Sequence, residues 1–231
     1  MKKLFLLLIA FSLASVVTAC GDDDNNESNN DGNTTEQSFE VTDEEIVDEE
    51  EVVLSVNDKD IFGNKYNPVY YQTKQRLYQA GQDISDLELV KEQTFNELIA
   101  QELIRQDAIE SGLEVTDEEV ENRLENVKSE DEEGYEAYLK QFDLTEDAFK
   151  EQLKFNLLVD KYMTDVITVE EVPEEEIKEL YEQLKEQNED IMEYDEAKVF
   201  IEQQLTQQKQ SEQLLTKIEE LEESADIEKM L

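Results

Sequence analysis

From Tyr135 to Leu231 the chain contains no glycine, and Pro173 is the only proline in that stretch. Glycine supplies the left-handed backbone that tight turns need, and proline pre-sets turn geometry. Without them a segment cannot make the closely spaced turns of a sheet domain. This half of the chain must therefore be helical. Its wealth of Glu, Gln, Leu and Lys, all good helix formers, agrees.

The helices can be placed in order. Pro68 suits a first turn, so the first helix is expected over Pro68 to Gln79, stopped by Gly81. The second is expected from about Asp86 to Ser111, ended by Gly112. Its Leu87, Val90, Phe95, Leu98, Ile99, Leu103, Ile104, Ala108 and Ile109 recur at three and four, which predicts one buried stripe. Thr116 to Glu119 form a capping box that opens the third helix. Gly134 is expected to set off a short fourth helix carrying Tyr135, Tyr138, Leu139 and Phe142. Thr145 caps the fifth, Ala148 to Val166, which is apolar on several faces and is expected at the centre of the core.

Pro173 opens a sixth helix to about Asn188, and the last spans Asp195 to Ser224. Its middle, TQQKQSEQ at 206–213, has no apolar residue and predicts a solvated bridge between two packed ends. Near the start, Val52 to Val56 is the one convincing strand. Ile227 and Met230-Leu231 are expected to pair with it and tie the two ends of the domain together.

The 62 acidic and 20 basic residues give a net charge of −42. Such a chain repels nucleic acid and anionic headgroups, so no nucleic-acid partner is expected. With no histidine and one cysteine, the usual triads and Cys-His pairs cannot form. No Gly-rich phosphate loop is present, so no nucleotide or other cofactor is expected. ESNNDG at 27–32 and DKDIFG at 58–63 approach a calcium loop. The first lacks Asp at its opening position, the second has Phe62 where a ligand belongs, and neither ends in Glu. No metal site and no catalytic residue are assigned.

The beginning, MKKLFLLLIAFSLASVVTAC, has Lys2 and Lys3 before an apolar run from Leu4 to Val17. A membrane span needs about 20 residues, so residues 1–19 are read as a signal peptide. Val17-Thr18-Ala19-Cys20 resembles the lipobox of bacterial lipoproteins. The resemblance implies cleavage between Ala19 and Cys20 and a diacylglyceryl group on the Cys20 sulfur. A thiolate is the nucleophile for that transfer, and two acyl chains anchor stably. Residues 20–51 are read as an acidic, disordered tether, and residues 52–231 as the folded helical domain with a long return helix. The expected location is the extracytoplasmic face of the cell membrane, in a Gram-positive bacterium.

Four stretches carry a wider resemblance: VLSVNDKDIF, VKEQTFNELIAQELIRQDAIESGLEVTDEEVENRL, FDLTEDAFKEQLKFNLLVDK and EAKVFIEQQLTQQKQSEQLLTKIEELEESADIEKML. Their order resembles the N-terminal chaperone region of SurA-like proteins and PrsA-type foldase lipoproteins, over Val52 to Leu231. The resemblance implies a mainly α, elongated multi-helix domain of the SurA/trigger-factor kind with a small terminal strand pairing. It implies a membrane-anchored holdase or foldase for unfolded or nascent secreted proteins, without catalysis. The family's parvulin isomerase domain would sit between the sixth and last helices. Only Asn188 to Tyr194 lie there, and an independent domain needs about 50 residues.

Tyrosine offers area with a polar tip, which suits adaptable binding. Tyr66, Tyr70, Tyr71, Tyr78, Tyr135, Tyr138 and Phe142 are therefore the candidate client contacts. Adjacent Tyr70 and Tyr71 face different ways on a helix, so at least one of them is packing. The rival reading is a structural or interaction lipoprotein with one dedicated cell-envelope partner.

Overall fold

Asn57 and Asp58 take left-handed backbone, with φ of 51° and 63°. Two such residues make the hairpin turn whose twist matches flanking strands. In the computed structural model, which describes residues 39–142, 144–188 and 191–231, they join β1 (Val52–Val56) to β2 (Lys59–Phe62), antiparallel. Val52 to Val56 is the one strand expected here, and Lys59–Phe62 adds a second because the turn takes only two residues. The signal peptide, the Ala19–Cys20 site and residues 20–38 of the expected tether lie outside the described residues.

β3 (Ile227–Lys229) pairs antiparallel with the other edge of β1, giving the order β2-β1-β3. The expected joining of the two ends of the domain is thus present through Ile227, while Met230 and Leu231 lie beyond the end of the strand. It is reinforced by side chains: the Asp226 N–H donates to Asn57 Oδ1 at 2.9 Å, and Asn57 Nδ2 donates to Gln106 Oε1 at 2.9 Å.

Among the described residues seven helices follow the hairpin: α1 (Gly63–Gln79), α2 (Leu87–Glu110), α3 (Asp117–Glu130), α4 (Glu132–Gln141), α5 (Glu146–Asp165), α6 (Glu174–Gln187) and α7 (Tyr194–Ser224). The fold is mainly α, as expected. Sequence signals set most of the boundaries. Asp86 caps α2 by accepting from the Leu89 N–H, and the Thr116 and Glu119 capping box opens α3. Thr145 caps α5, and Pro173 precedes α6.

Two boundaries differ from expectation. α1 begins at Gly63, so Pro68 sits inside it. Two carbonyls of the preceding segment fix that start: the Gly63 N–H donates to Glu51 at 2.9 Å and the Asn64 N–H to Glu49 at 3.1 Å. Glycine is required at 63, because a Cβ there would lie 2.0 Å from the Asp48 carbonyl oxygen. The break before α4 is made by Asp131, whose carboxylate accepts from the Gly134 N–H at 2.9 Å, and Gly134 lies within the helix.

The core has its centre on α2 rather than α5. α2 buries Val90, Phe95, Leu98, Ile99 and Leu103 in a cluster with β1 and α1. Its Ile104 and Ala108 enter a second cluster with α3, α5 and the end of α7. α5 buries only Leu153, Leu158 and Tyr162, while Phe155, Leu157, Val159 and Met163 stay half-buried. Its apolar residues are spread around the helix, and neighbours cover one side only. A third cluster joins Val172, Ile177 and Tyr181 to Ala197 and Ile201 of α7. α7 buries Leu214 and Ile218 near its other end and nothing over 206–213, so the expected solvated bridge is present.

Residues 39–51 differ most from expectation. Read as the last part of a disordered tether, they instead form a strap across α1. Phe39, Val41 and Val47 pack on the first cluster. Asn67 Nδ2 donates to the Val47 carbonyl at 2.9 Å, and the Val47 N–H returns a bond to Asn67 Oδ1 at 3.1 Å. Lys74 Nζ lies 2.5 Å from Glu45 Oε2, with side-chain exposures of only 5% and 4%. An acidic composition concealed this strap because its decisive carboxylate has a buried lysine to meet.

Candidate functional site

The seven candidate aromatics divide along the surface of α1 and α4. On α1, Tyr66, Tyr70, Thr73, Lys74 and Leu77 form one buried stripe. Tyr66 and Tyr70 are each 2% exposed. The Tyr66 ring stands 5.6 Å from Tyr70 and 5.8 Å from Phe95. The Tyr70 hydroxyl donates to Glu45 Oε2 at 2.6 Å. Burial first, then that bond, raises the Tyr70 hydroxyl far above its ordinary pKa, so it stays a proton donor. Tyr135 is also buried, its hydroxyl donating to Glu146 at 3.2 Å. These three residues are packing, which corrects their assignment as contacts: each ring fills the seam between its helix and a neighbour.

Tyr71, Tyr78, Tyr138 and Phe142 remain accessible, and the structure brings them into one row. Phe39 of the strap stands 5.8 Å from Tyr78 and 5.1 Å from Tyr71. Tyr71 meets Phe142 of the α4 C-cap at 5.5 Å, and Phe142 meets Tyr138 at 4.5 Å. Tyr138 continues to Phe149 of α5 at 5.7 Å. Edge and tilted pairs of this kind contribute about 0.5–1.5 kcal/mol each beyond their buried area. They hold the row in shape while leaving ring faces half open. Burial raises the Tyr138 hydroxyl above its ordinary pKa, so it too remains a donor.

Sequence reasoning missed Phe39 and Phe149 as members of this row. Phe149 was counted into the core. Phe39 carried one weak signal, as a large apolar residue with Val41 in an acidic run.

A second apolar surface lies where α6 and α7 meet. Met192 is 47% exposed, Val199 65% and Phe200 64%. A cavity of about 160 Å³ opens there between Leu184, Ile191, Met192, Ala197, Phe200, Ile201 and Gln204. No candidate residue was named here. The available signal was the run Val199-Phe200-Ile201, since a helix can turn only one of three consecutive residues fully inward.

Beyond the row, ion pairs join α5 to α3. Lys150, Lys154 and Lys161 of α5 reach Glu121, Asp117 and Glu119 of α3 at 2.7, 3.2 and 2.7 Å. Lys161 first, then Thr116, lowers the Glu119 carboxyl to about 2. These pairs are exposed and orient α3 on α5 more than they stabilise it. Among the described residues, no group of three or more His, Cys, Asp or Glu could hold a metal ion. No described helix is long and apolar enough to cross a membrane.

The arrangement leaves apolar ring area of Tyr71, Tyr78, Tyr138 and Phe142 open to solvent. Comparison with known sequences places it. Residues 1–163 match the SurA-like N-terminal domain. The chain belongs to that family. The matched part takes in β1, β2, α1 to α4 and most of α5.

This SurA-like chain is 29% identical over 147 residues to the foldase protein PrsA of Caldanaerobacter subterraneus subsp. tengcongensis, covering 59% of the chain and 44% of that protein. It is 36% identical over 89 residues to foldase protein PrsA 2 of Listeria monocytogenes, covering 38% of the chain and 27% of that protein. The Listeria innocua PrsA 2 is 35% identical over the same length. The chain thus spans less than half the length of these relatives. In it, α6 ends at Gln187 and α7 starts at Tyr194, so no domain is inserted between them.

Proposed function

We propose that this SurA-like chain is a membrane-tethered, extracytoplasmic chaperone that holds unfolded or nascent secreted proteins. The observation that carries the reading is the row of half-open rings from Tyr78 through Phe39, Tyr71 and Phe142 to Tyr138. Family membership and relatives named as foldases support it. Exposed segments of a client lie on the ring faces and bind weakly, each burying a little apolar area. The net charge of −42 keeps the complex soluble and draws basic clients. No nucleotide and no covalent step are needed. A diacylglyceryl group on Cys20 holds the chain at the membrane, with residues 21–38 as the leash.

The test is suppression of aggregation by the soluble chain from residue 21, using several unrelated unfolded proteins at near-stoichiometric ratios. Suppression of all of them is expected. The double variant Tyr71→Ala, Phe142→Ala should weaken it while the helical circular dichroism stays unchanged. Suppression of none, with capture of a single envelope protein, would establish the dedicated-partner lipoprotein instead. Mass spectrometry of the protein from its native membrane should find Cys20 acylated. An unmodified thiol would remove the anchor from the proposal.

A further inference from the structure

The α6–α7 end exposes apolar groups that the fold itself does not use. Phe200 and Met192 flank a cavity of about 160 Å³ walled by Leu184, Ile191, Ala197 and Ile201. An apolar cavity of about 150 Å³ takes one benzene-sized group. The space therefore suits one large apolar side chain from an extended segment, and it is too small for the face of a folded partner.

Charge selects among such segments. Glu193, Asp195 and Glu196 are exposed and make no ion pair among the described residues. Helical spacing puts Glu196 one turn before Phe200 and Asp195 one turn before Val199. The cations of α6 and the first half of α7 are already engaged. Lys178 and Lys198 lie on Glu174, Lys209 on Glu176, and Lys185 over the Tyr181 ring. A second copy of this chain would bring the same unpaired carboxylates and be repelled. A basic segment finds them free.

We propose that the α6–α7 end is a docking site for a bulky apolar side chain flanked by lysine or arginine in an unfolded chain. The inference rests on the chaperone reading and gives it a client class, basic–apolar stretches. It uses none of the rings of the aromatic row. Phe200 and Met192 close over the incoming side chain while Glu196 and Asp195 meet the flanking cations.

The experiment titrates the full chain with a labelled peptide holding one Phe between pairs of lysines, read by fluorescence anisotropy at two salt concentrations. Phe200→Ser and Met192→Ser remove solvent-exposed groups, so thermal midpoints should hold while affinity falls about tenfold. Glu196→Lys should weaken binding about threefold and flatten its salt dependence. Tyr71→Ala should leave it unchanged. Wild-type affinity in Phe200→Ser, or equal binding of a peptide with glutamates for lysines, overturns the site. So does a dimer that Phe200→Ser dissolves, because a second copy would then be the occupant. The aggregation assay separates the two claims. A protein that suppresses aggregation but ignores the peptide keeps the chaperone reading and loses this site. One that binds the peptide through Phe200 and suppresses nothing keeps the site and loses that reading.

Discussion

α2 and α6 are both regular helices, yet their surroundings differ. α2 buries nine residues, from Val90 to Ala108, and packs on the sheet, α1, α5 and α7. α6 buries Ile177 and Tyr181 and packs chiefly on α7. Helix stability comes mainly from tertiary packing, so the two helices draw on very different reserves. Proteins open in local units, and surfaces that adapt to ligands belong to the weaker units. The body around α2 is the better-packed part, and the α6–α7 end is held chiefly by its own helix pair.

The contrast can be broken most sharply in the core. Phe95→Ala should cost about 3–5 kcal/mol in urea unfolding, because the ring is almost fully buried beside Tyr66. Ile177→Ala should cost about 2–5 kcal/mol locally. That loss should appear as faster amide exchange in α6 and the start of α7, with β1 still protected. Equal loss of protection in β1 would show that the two regions are one cooperative unit.

The strap offers a test through pH. Burial pushes the Glu45 carboxyl up, but bonds from Lys74, the Thr42 N–H and Tyr70 outweigh it and hold it below its ordinary value. A carboxyl lowered by folding stabilises fully above its unfolded pKa of about 4.3 and loses that contribution as pH falls through the folded value. The strap should therefore release in acid, below about pH 4. Near-UV circular dichroism of the Tyr70 and Tyr71 environment should record a step that Glu45→Gln lacks. The same step in Glu45→Gln would assign it to other carboxylates.

Smaller effects sharpen the boundary between the regions. Gln207→Gly, in the exposed middle of α7, should cost about 1 kcal/mol of helix. Exchange should show it loosening the α6–α7 end alone. Thr116→Ala, which removes the α3 cap, should cost about 1 kcal/mol in the body and leave α6 exchange untouched.

What could be read from sequence follows from the range of the forces involved. Caps and breakers act over one turn, so Asp86, Gly112, Thr116 and Thr145 marked their boundaries correctly. The closing strand was legible because a single strand at Val52 to Val56 needs a partner and Ile227 is an apolar, β-branched residue beyond the last helix. The early start of α1 was not legible, because it depends on carbonyls of Glu49 and Glu51 brought near by the strap. The aromatic assignment failed in part for the same reason. Periodicity separates Tyr66, Tyr70 and Leu77 from Tyr71 and Tyr78 as two stripes. It does not say which stripe a neighbouring helix will cover. The α6–α7 surface was hidden by a different cause: its apolar residues read as packing until the third cluster proved too small to enclose them.

β1 occupies the middle of the sheet, and among the described residues its second edge is filled by residues 227–229, with the Met230 N–H donating to the Val53 carbonyl. A ribosome delivers those residues after every helix has been made. Without residues 227–229 that edge of β1 would stand bare, a ready template for pairing with another chain.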